Sequence, residues 1–186
     1  MPFAKSVADN EPRQAIYIGL GANQAYRGRA PRETLISALG DLAAAGVETI
    51  AASRPWRSPA WPDPSDPPFV NACIAVETAH DPEALMTVLH DVEARHGRAR
   101  AVRNAPRTLD LDLIDYQGRS GRFSGGLELP HPRLAARAFV LLPLKDIAPH
   151  WRDPAGGATL QSLIAALPAA ERRACRPAGG VLCAAA

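Results

Sequence analysis

From Pro106 to Ile114 apolar and polar residues alternate, with Leu109, Leu111 and Leu113 on one side and Asp110 and Asp112 on the other. That period of two predicts a β-strand. The same pattern, or an unbroken apolar run, predicts strands over Ala15–Leu20, Val47–Ser53, Phe69–Glu77 and Leu127–Leu129. Helical spacing takes over elsewhere. Leu35, Ile36, Leu39 and Leu42 mark a helix over Pro31–Ala45, stopped by Gly46. Leu85, Val88, Leu89 and Val92 mark a second, with Asp81 as its cap, Pro82 at its first position and Gly97 beyond its end. His90 and Glu93 then fall on another face of that helix, where surface residues are the ordinary reading. Phe139, Val140, Leu142 and Leu144 supply core residues over Ala138–Ile147, and Leu160–Leu167 is the last helix.

Between these elements lie segments of other character. Residues 54–68 carry repeated prolines, which remove backbone donors and fix φ, so a stiff extended loop bearing Trp56 and Trp61 is expected there. A loop of that length in a compact domain is usually a lid or a binding loop. Residues 117–126 read as a turn, and Pro130-His131-Pro132-Arg133 as a rigid connection. The chain is expected to form a single domain over residues 15–167. Residues 1–14 would be a flexible tail, and the Ala/Gly-rich stretch 168–186 a disordered one.

Composition narrows the class. A chain of 186 residues with a formal net charge of +2 lacks the Lys/Arg excess of a dedicated nucleic-acid binder. No apolar run suggests a membrane span, and the beginning of the chain shows no signal-peptide pattern. Cys73, Cys175 and Cys183 are odd in number and share no metal-ligand spacing, which suits a reducing cytoplasm. The expected partners are small molecules, with neither nucleic acid nor membrane, and the chain is expected to be a monomer.

The candidate chemistry is concentrated around the Asp-x-Asp strand. Aspartate is disfavoured in strands, so two on one face need a reason. Alternate residues lie ~6.5–7 Å apart, close enough to converge on one or two cations. Arg98, Arg100, Arg103 and Arg107 precede the strand, and His131, Arg133 and Arg137 follow it. Carboxylates that hold Mg²⁺, flanked by guanidiniums that hold phosphate oxygens, are what phosphoryl transfer requires. Two familiar nucleotide motifs are absent. Gln24 stands where a dinucleotide fingerprint needs its third glycine, and no Gly-x-x-x-x-Gly-Lys-Ser/Thr occurs. Asn71, a lone amide in an apolar run, fits a satisfied core amide or a ligand contact equally well.

Six motifs taken in order resemble one family. They are Tyr-Ile-Gly-Leu-Gly-Ala-Asn (17–23), Phe-Val-Asn-Ala (69–72), Glu-x-x-x-Gly-Arg-x-Arg (93–100), Pro-Arg-Thr-Leu-Asp-Leu-Asp (106–112), Leu-Pro-His-Pro-Arg (129–133) and Arg-Ala-Phe-Val-Leu-x-Pro-Leu (137–144). Over residues 15–150 the chain resembles the 6-hydroxymethyl-7,8-dihydropterin pyrophosphokinases of folate biosynthesis. The resemblance implies an α+β, ferredoxin-like antiparallel sheet between helices, in three α-β-α layers. It implies transfer of the β,γ-pyrophosphate of ATP to the pterin hydroxymethyl group, giving AMP. Carried over, Asp110 and Asp112 hold two Mg²⁺ ions, and Arg98 and Arg107 brace the phosphates. His90, Glu93, Arg100, His131 and Arg137 line the ATP site. Phe69 and Phe139 sandwich the pterin, Asn71 meets its polar edge, and Ser58, Pro59 and Trp61 add contacts.

Two departures bear on this. Arg103-Asn104-Ala105-Pro106-Arg107 stands where the family usually has Arg-Trp-Gly-Pro-Arg, so Trp61 or Trp56 is expected to supply part of the missing apolar seal. Gly126-Leu127-Glu128 replaces a basic or hydroxyl residue near the ATP. Three other classes compete less well. A weak paralogue that binds without efficient transfer is opposed by the presence of both aspartates and both bracing arginines. An RNA-binding module would need exposed sheet aromatics. A nucleotidyltransferase, which also uses two metals on an Asp-x-Asp strand, would leave the pterin motifs unexplained.

Overall fold

In the computed structural model, which describes residues 15–60, 63–98, 107–180 and 182, the alternating segments form one antiparallel sheet. Its strands are β1 (Ile16–Ala22), β2 (Val47–Ala52), β3 (Trp56–Ser58), β4 (Phe69–Thr78) and β5 (Asp110–Tyr116). A short hairpin, β6 (Gly121–Arg122) with β7 (Glu128–Leu129), stands apart, and β8 (Arg176–Pro177) joins the main sheet late in the chain. The order is β5-β1-β4-β3-β8, and β2 shares the edge of β4 with β3. Helices α1 (Pro31–Ala44) and α2 (Pro82–Arg95) connect β1 to β2 and β4 to β5. Taking β2 and β3 as one bent strand gives a βαββαβ unit with the ferredoxin-like order, in the three layers expected.

The layers follow from strand alternation. Ile16, Ile18, Leu20 and Ala22 pack with Leu111 and Leu113 against Leu35 and Leu42 of α1 and Leu85 and Leu89 of α2. The opposite face packs Tyr17, Cys73, Ala75 and Ile114 against α3 (Ala138–Ile147) and α4 (Leu160–Ala166). Asp81 caps α2 as anticipated, its Oδ1 accepting the Ala84 N–H at 2.8 Å. A register shift between Tyr17 and Ile18 leaves Ile114 as the extra residue of β5, a bulge that turns Asp115 toward the α3 layer. There Asp115 accepts the Trp151 indole N–H at 2.7 Å and the Gly118 N–H at 2.9 Å. Burial, the leading cause, holds its carboxyl above the usual range against these two bonds.

Three expectations need correction. Trp56–Ser58 is a strand, flanked by β4 on one side and β8 on the other. The prolines at 55 and 59 bracket this segment without entering it, so its ladder donors survive. Trp56 is buried, and its Nε1 donates to Asp146 of α3 at 2.9 Å, which makes it a core residue rather than part of a seal. The stretch after Pro168 is ordered through α5 (Ala169–Ala174) and β8, with Cys175 and Leu182 buried in the two cores. Those few apolar side chains suffice to anchor a segment whose average composition reads as a loose tail. Trp61, Arg100, Arg103, Asn104 and the tail 1–14 lie outside the described residues.

Candidate active site

The face of the sheet toward α3 carries the polar residues, and register sets them side by side. Gly21 of β1 lies opposite Asp110 on one neighbour and Asn71 on the other, and Asn71 lies opposite Trp56. In the next row on this face, Gly19 lies between Asp112 and Cys73. Glycine at position 21 leaves a trough between Asp110 and Asn71, whereas the space over Gly19 is taken by the buried Ile114 side chain, 3.3 Å from where a Cβ would sit. A Cβ on Gly21 would fall 3.3 Å from Asn71 Oδ1 and 3.9 Å from Asp110 Cβ. On the far side of the trough Asn71 Nδ2 donates to Ser58 Oγ at 3.0 Å, both residues being buried. Phe69 stands in register with Ser58. Phe139, at the start of α3, is half-buried under the Arg137 guanidinium, 5.5 Å from the ring centre.

The other side of the trough is a network of carboxylates and guanidiniums. Asp110 pairs with Arg107 and with Arg98, the latter at 2.6 Å, and Arg98 also pairs with Glu93. Asp112 accepts from Arg137 at 3.1 Å. Burial raises the Asp110 carboxyl, but the Arg107 and Arg98 charges outweigh it and hold the group below the usual range. His131 is pushed down, by burial first and by Arg137 and Arg133, with Asp112 opposing. Its backbone N–H donates to Ile114 O at 2.9 Å, which fixes the His-Pro loop beside the bulge.

Glu93 differs from its ordinary reading. It is 1% exposed, and its Oε1 accepts the Leu111 N–H at 2.8 Å, so it satisfies an outward donor on the edge strand. Its position four residues after Leu89 places it on the buried stripe, a signal that pairing it with His90 obscured. His90 itself is exposed on α2, and Pro59 is exposed beyond β3.

Asn23 had no assigned role, yet it ties three segments together. Its Oδ1 accepts the Arg107 N–H at 2.7 Å, its own N–H donates to Arg107 O at 3.0 Å, and its Nδ2 donates to Pro67 O at 3.0 Å. The usable sequence signal was a polar residue closing an apolar strand just after Gly-x-Gly.

Among the described residues no three His, Cys, Asp or Glu side chains gather into an all-protein metal cage. Asp110 and Asp112 instead offer two carboxylates on one strand face. That donor set suits Mg²⁺, which keeps waters and takes its remaining ligands from phosphates.

A ferredoxin-like sheet bearing paired aspartates, arginines on its loops and an amide-lined trough has the parts of a phosphoryl-transfer enzyme. The family described as 7,8-dihydro-6-hydroxymethylpterin-pyrophosphokinase (HPPK) matches residues 17–149, and the chain belongs to it. Two 2-amino-4-hydroxy-6-hydroxymethyldihydropteridine pyrophosphokinases match nearly end to end. The one from Pseudomonas aeruginosa is 38% identical over 83% of this chain and 93% of its own length. That from Methylorubrum extorquens is 37% identical over 81% and 92%. A crystal structure of Plasmodium falciparum HPPK-DHPS superposes with a TM-score of 0.57 at 13% identity, covering 80% of this chain and 44% of that one. That likeness concerns the fold, and this chain spans less than half of the longer protein.

Proposed function

We propose that this chain transfers the β,γ-pyrophosphate of ATP to the hydroxymethyl group of 6-hydroxymethyl-7,8-dihydropterin in tetrahydrofolate biosynthesis. The substrate hydroxyl oxygen bonds to the β-phosphorus and releases its proton to solvent, while the bond from the β-phosphorus to the α,β-bridging oxygen breaks and that oxygen leaves with AMP. The observation that carries this reading is the register Asp110–Gly21–Asn71, which sets a carboxylate–arginine centre and an amide-lined trough on one sheet face.

Asp110 and Asp112 would hold two Mg²⁺ ions, which would supply positive charge to offset that of the phosphates. The chain's own residues do the rest by positioning. Without nucleotide the carboxylates and guanidiniums neutralise one another. On nucleotide binding Arg107 and Arg137 exchange carboxylate partners for phosphate oxygens, and Arg98 exchanges Asp110 while Glu93 continues to brace it. Glu93 keeps its bond to β5 and so holds the end of α2 beside the phosphates. His90, Arg100 and His131 are assigned to the ATP side.

Phe69 and Phe139 take the pterin between them, since a flat heteroaromatic ring gains from offset stacking on two faces. Asn71 meets the ring's polar edge, supported by Ser58, with Pro59 and Trp61 at the rim. The setting is the cytoplasm, which suits the free, buried thiols of Cys73 and Cys175. No helix among the described residues is long and apolar enough to cross a membrane.

Two measurements test the reading. AMP release from ATP and Mg²⁺ should depend on added 6-hydroxymethyl-7,8-dihydropterin, and AMP that forms equally without the pterin would end it. Gly21→Val should weaken pterin affinity by about 5- to 150-fold, because overfilling a packed site costs about 1–3 kcal/mol. Unchanged affinity in that variant would move the pterin away from the trough.

A further inference from the structure

The connection from β1 to α1 contains a tight turn, Tyr26-Arg27-Gly28-Arg29, closed by reciprocal backbone hydrogen bonds between Tyr26 and Arg29 at 3.1 and 3.0 Å. Arg27 and Gly28 both have positive φ, 49° and 78°, the signature of a type I′ turn. An arginine in that conformation has a local partner, since its guanidinium lies 5.2 Å from the centre of the Tyr26 ring. Arg29 fastens the turn to α1 through Ser37 Oγ at 2.8 Å.

One helical turn along α1 is Asp41, whose Oδ2 meets His96 Nε2 at 2.8 Å. His96 is buried at the end of α2, with its ring centre 6.5 Å from that of Tyr26. One face of α1 therefore holds both the turn and the end of α2. Where these meet, the Tyr26 ring lies directly over Gly97. A Cβ at that position would fall 2.2 Å from the ring, and the φ of 75° disfavours a side chain independently. The next residue is Arg98, whose N–H donates to Glu93 O at 3.1 Å and whose guanidinium reaches Glu93 and Asp110.

We propose that Tyr26, backed by the Asp41–His96 pair, is a positioning residue that presses the Gly97 turn into place and thereby aims Arg98 at the phosphates. The proposal rests on the phosphate-bracing role of Arg98. A side chain placed one residue beyond a left-handed turn inherits any rotation of that turn. A displacement of about 1 Å remote from the chemistry can cost on the order of a hundredfold.

The test is a double-mutant cycle read in Mg-ATP affinity by calorimetry, with pterin affinity measured alongside. Tyr26→Ala should weaken Mg-ATP by roughly tenfold, with pterin affinity held within about twofold. Tyr26→Phe, which keeps the ring on Gly97, should restore the nucleotide affinity. Tyr26→Ala with Arg98→Ala should bind Mg-ATP no more weakly than Arg98→Ala alone, because both changes remove one interaction. Additive losses in the double variant would overturn the proposal. So would a Tyr26→Ala variant that loses pterin and nucleotide alike, since the turn would then support the fold in general. Because the readout is affinity, a wild type that binds Mg-ATP but makes no AMP would defeat the functional reading and leave this test standing.

Discussion

Replacing Asp112 by alanine is expected to lower pterin-dependent AMP formation by on the order of a thousandfold or more, while pterin affinity stays within a few-fold of wild type. The carboxylate lies on the row that includes Gly19 and Cys73, one row from Asn71, so its removal leaves the pterin side of the trough intact. Little collapse is expected, because the Asp112 side chain is 33% exposed and faces a glycine across β1. What is lost is the partner of Arg137 and, on the proposed reading, a metal ligand, both placed to act on charge that develops during transfer. Single-turnover kinetics with the pterin diphosphate as readout would measure the effect. Loss of pterin binding to the same extent as turnover would show that Asp112 organises the trough rather than the phosphates.

The largest expected effect on stability belongs to Glu93→Ala, at about 3–5 kcal/mol. Truncation removes a buried acceptor from the Leu111 N–H and strips Arg98 of one of its two carboxylates. Water cannot readily replace it at a site that is 1% exposed. The melting temperature should fall by roughly 10 °C, and nucleotide affinity should fall with it as Arg98 loses its brace. Glu93→Gln, which keeps an oxygen for the Leu111 N–H, should recover part of the stability. Equal melting temperatures for Glu93→Ala and wild type would mean that the bond to β5 contributes nothing.

The sequence was most informative where one residue answers to one local rule. Asp81, Pro82 and Gly97 framed α2, and alternation over β5 set its leucines and aspartates on opposite faces. What escaped was set by partners distant in the chain. The Pro-rich segment yields a strand at Trp56–Ser58 because β4 and, more than a hundred residues later, β8 pair with it. Order after Pro168 depends on Cys175 and Leu182 finding two different cores. In the site, Asp110, Asp112 and the flanking arginines were legible as a cluster along the chain. Asn23 was not, because its value lies in bonds to Arg107 and Pro67, 84 and 44 residues away.

The position of β5 at the border of the sheet has a further consequence. A strand there offers unpaired N–H and C=O groups to any passing chain and invites intermolecular strand addition. Here the Leu111 N–H is taken by the Glu93 carboxylate and the Ile114 carbonyl by the His131 N–H. Two elements assigned above to the phosphate side thus also cover the edge against self-templated association. Variants that loosen α2 or the His-Pro loop should therefore become more prone to aggregate as well as slower, and light scattering on concentrated Glu93→Ala, beside its rate of AMP release, would register both faults in one molecule.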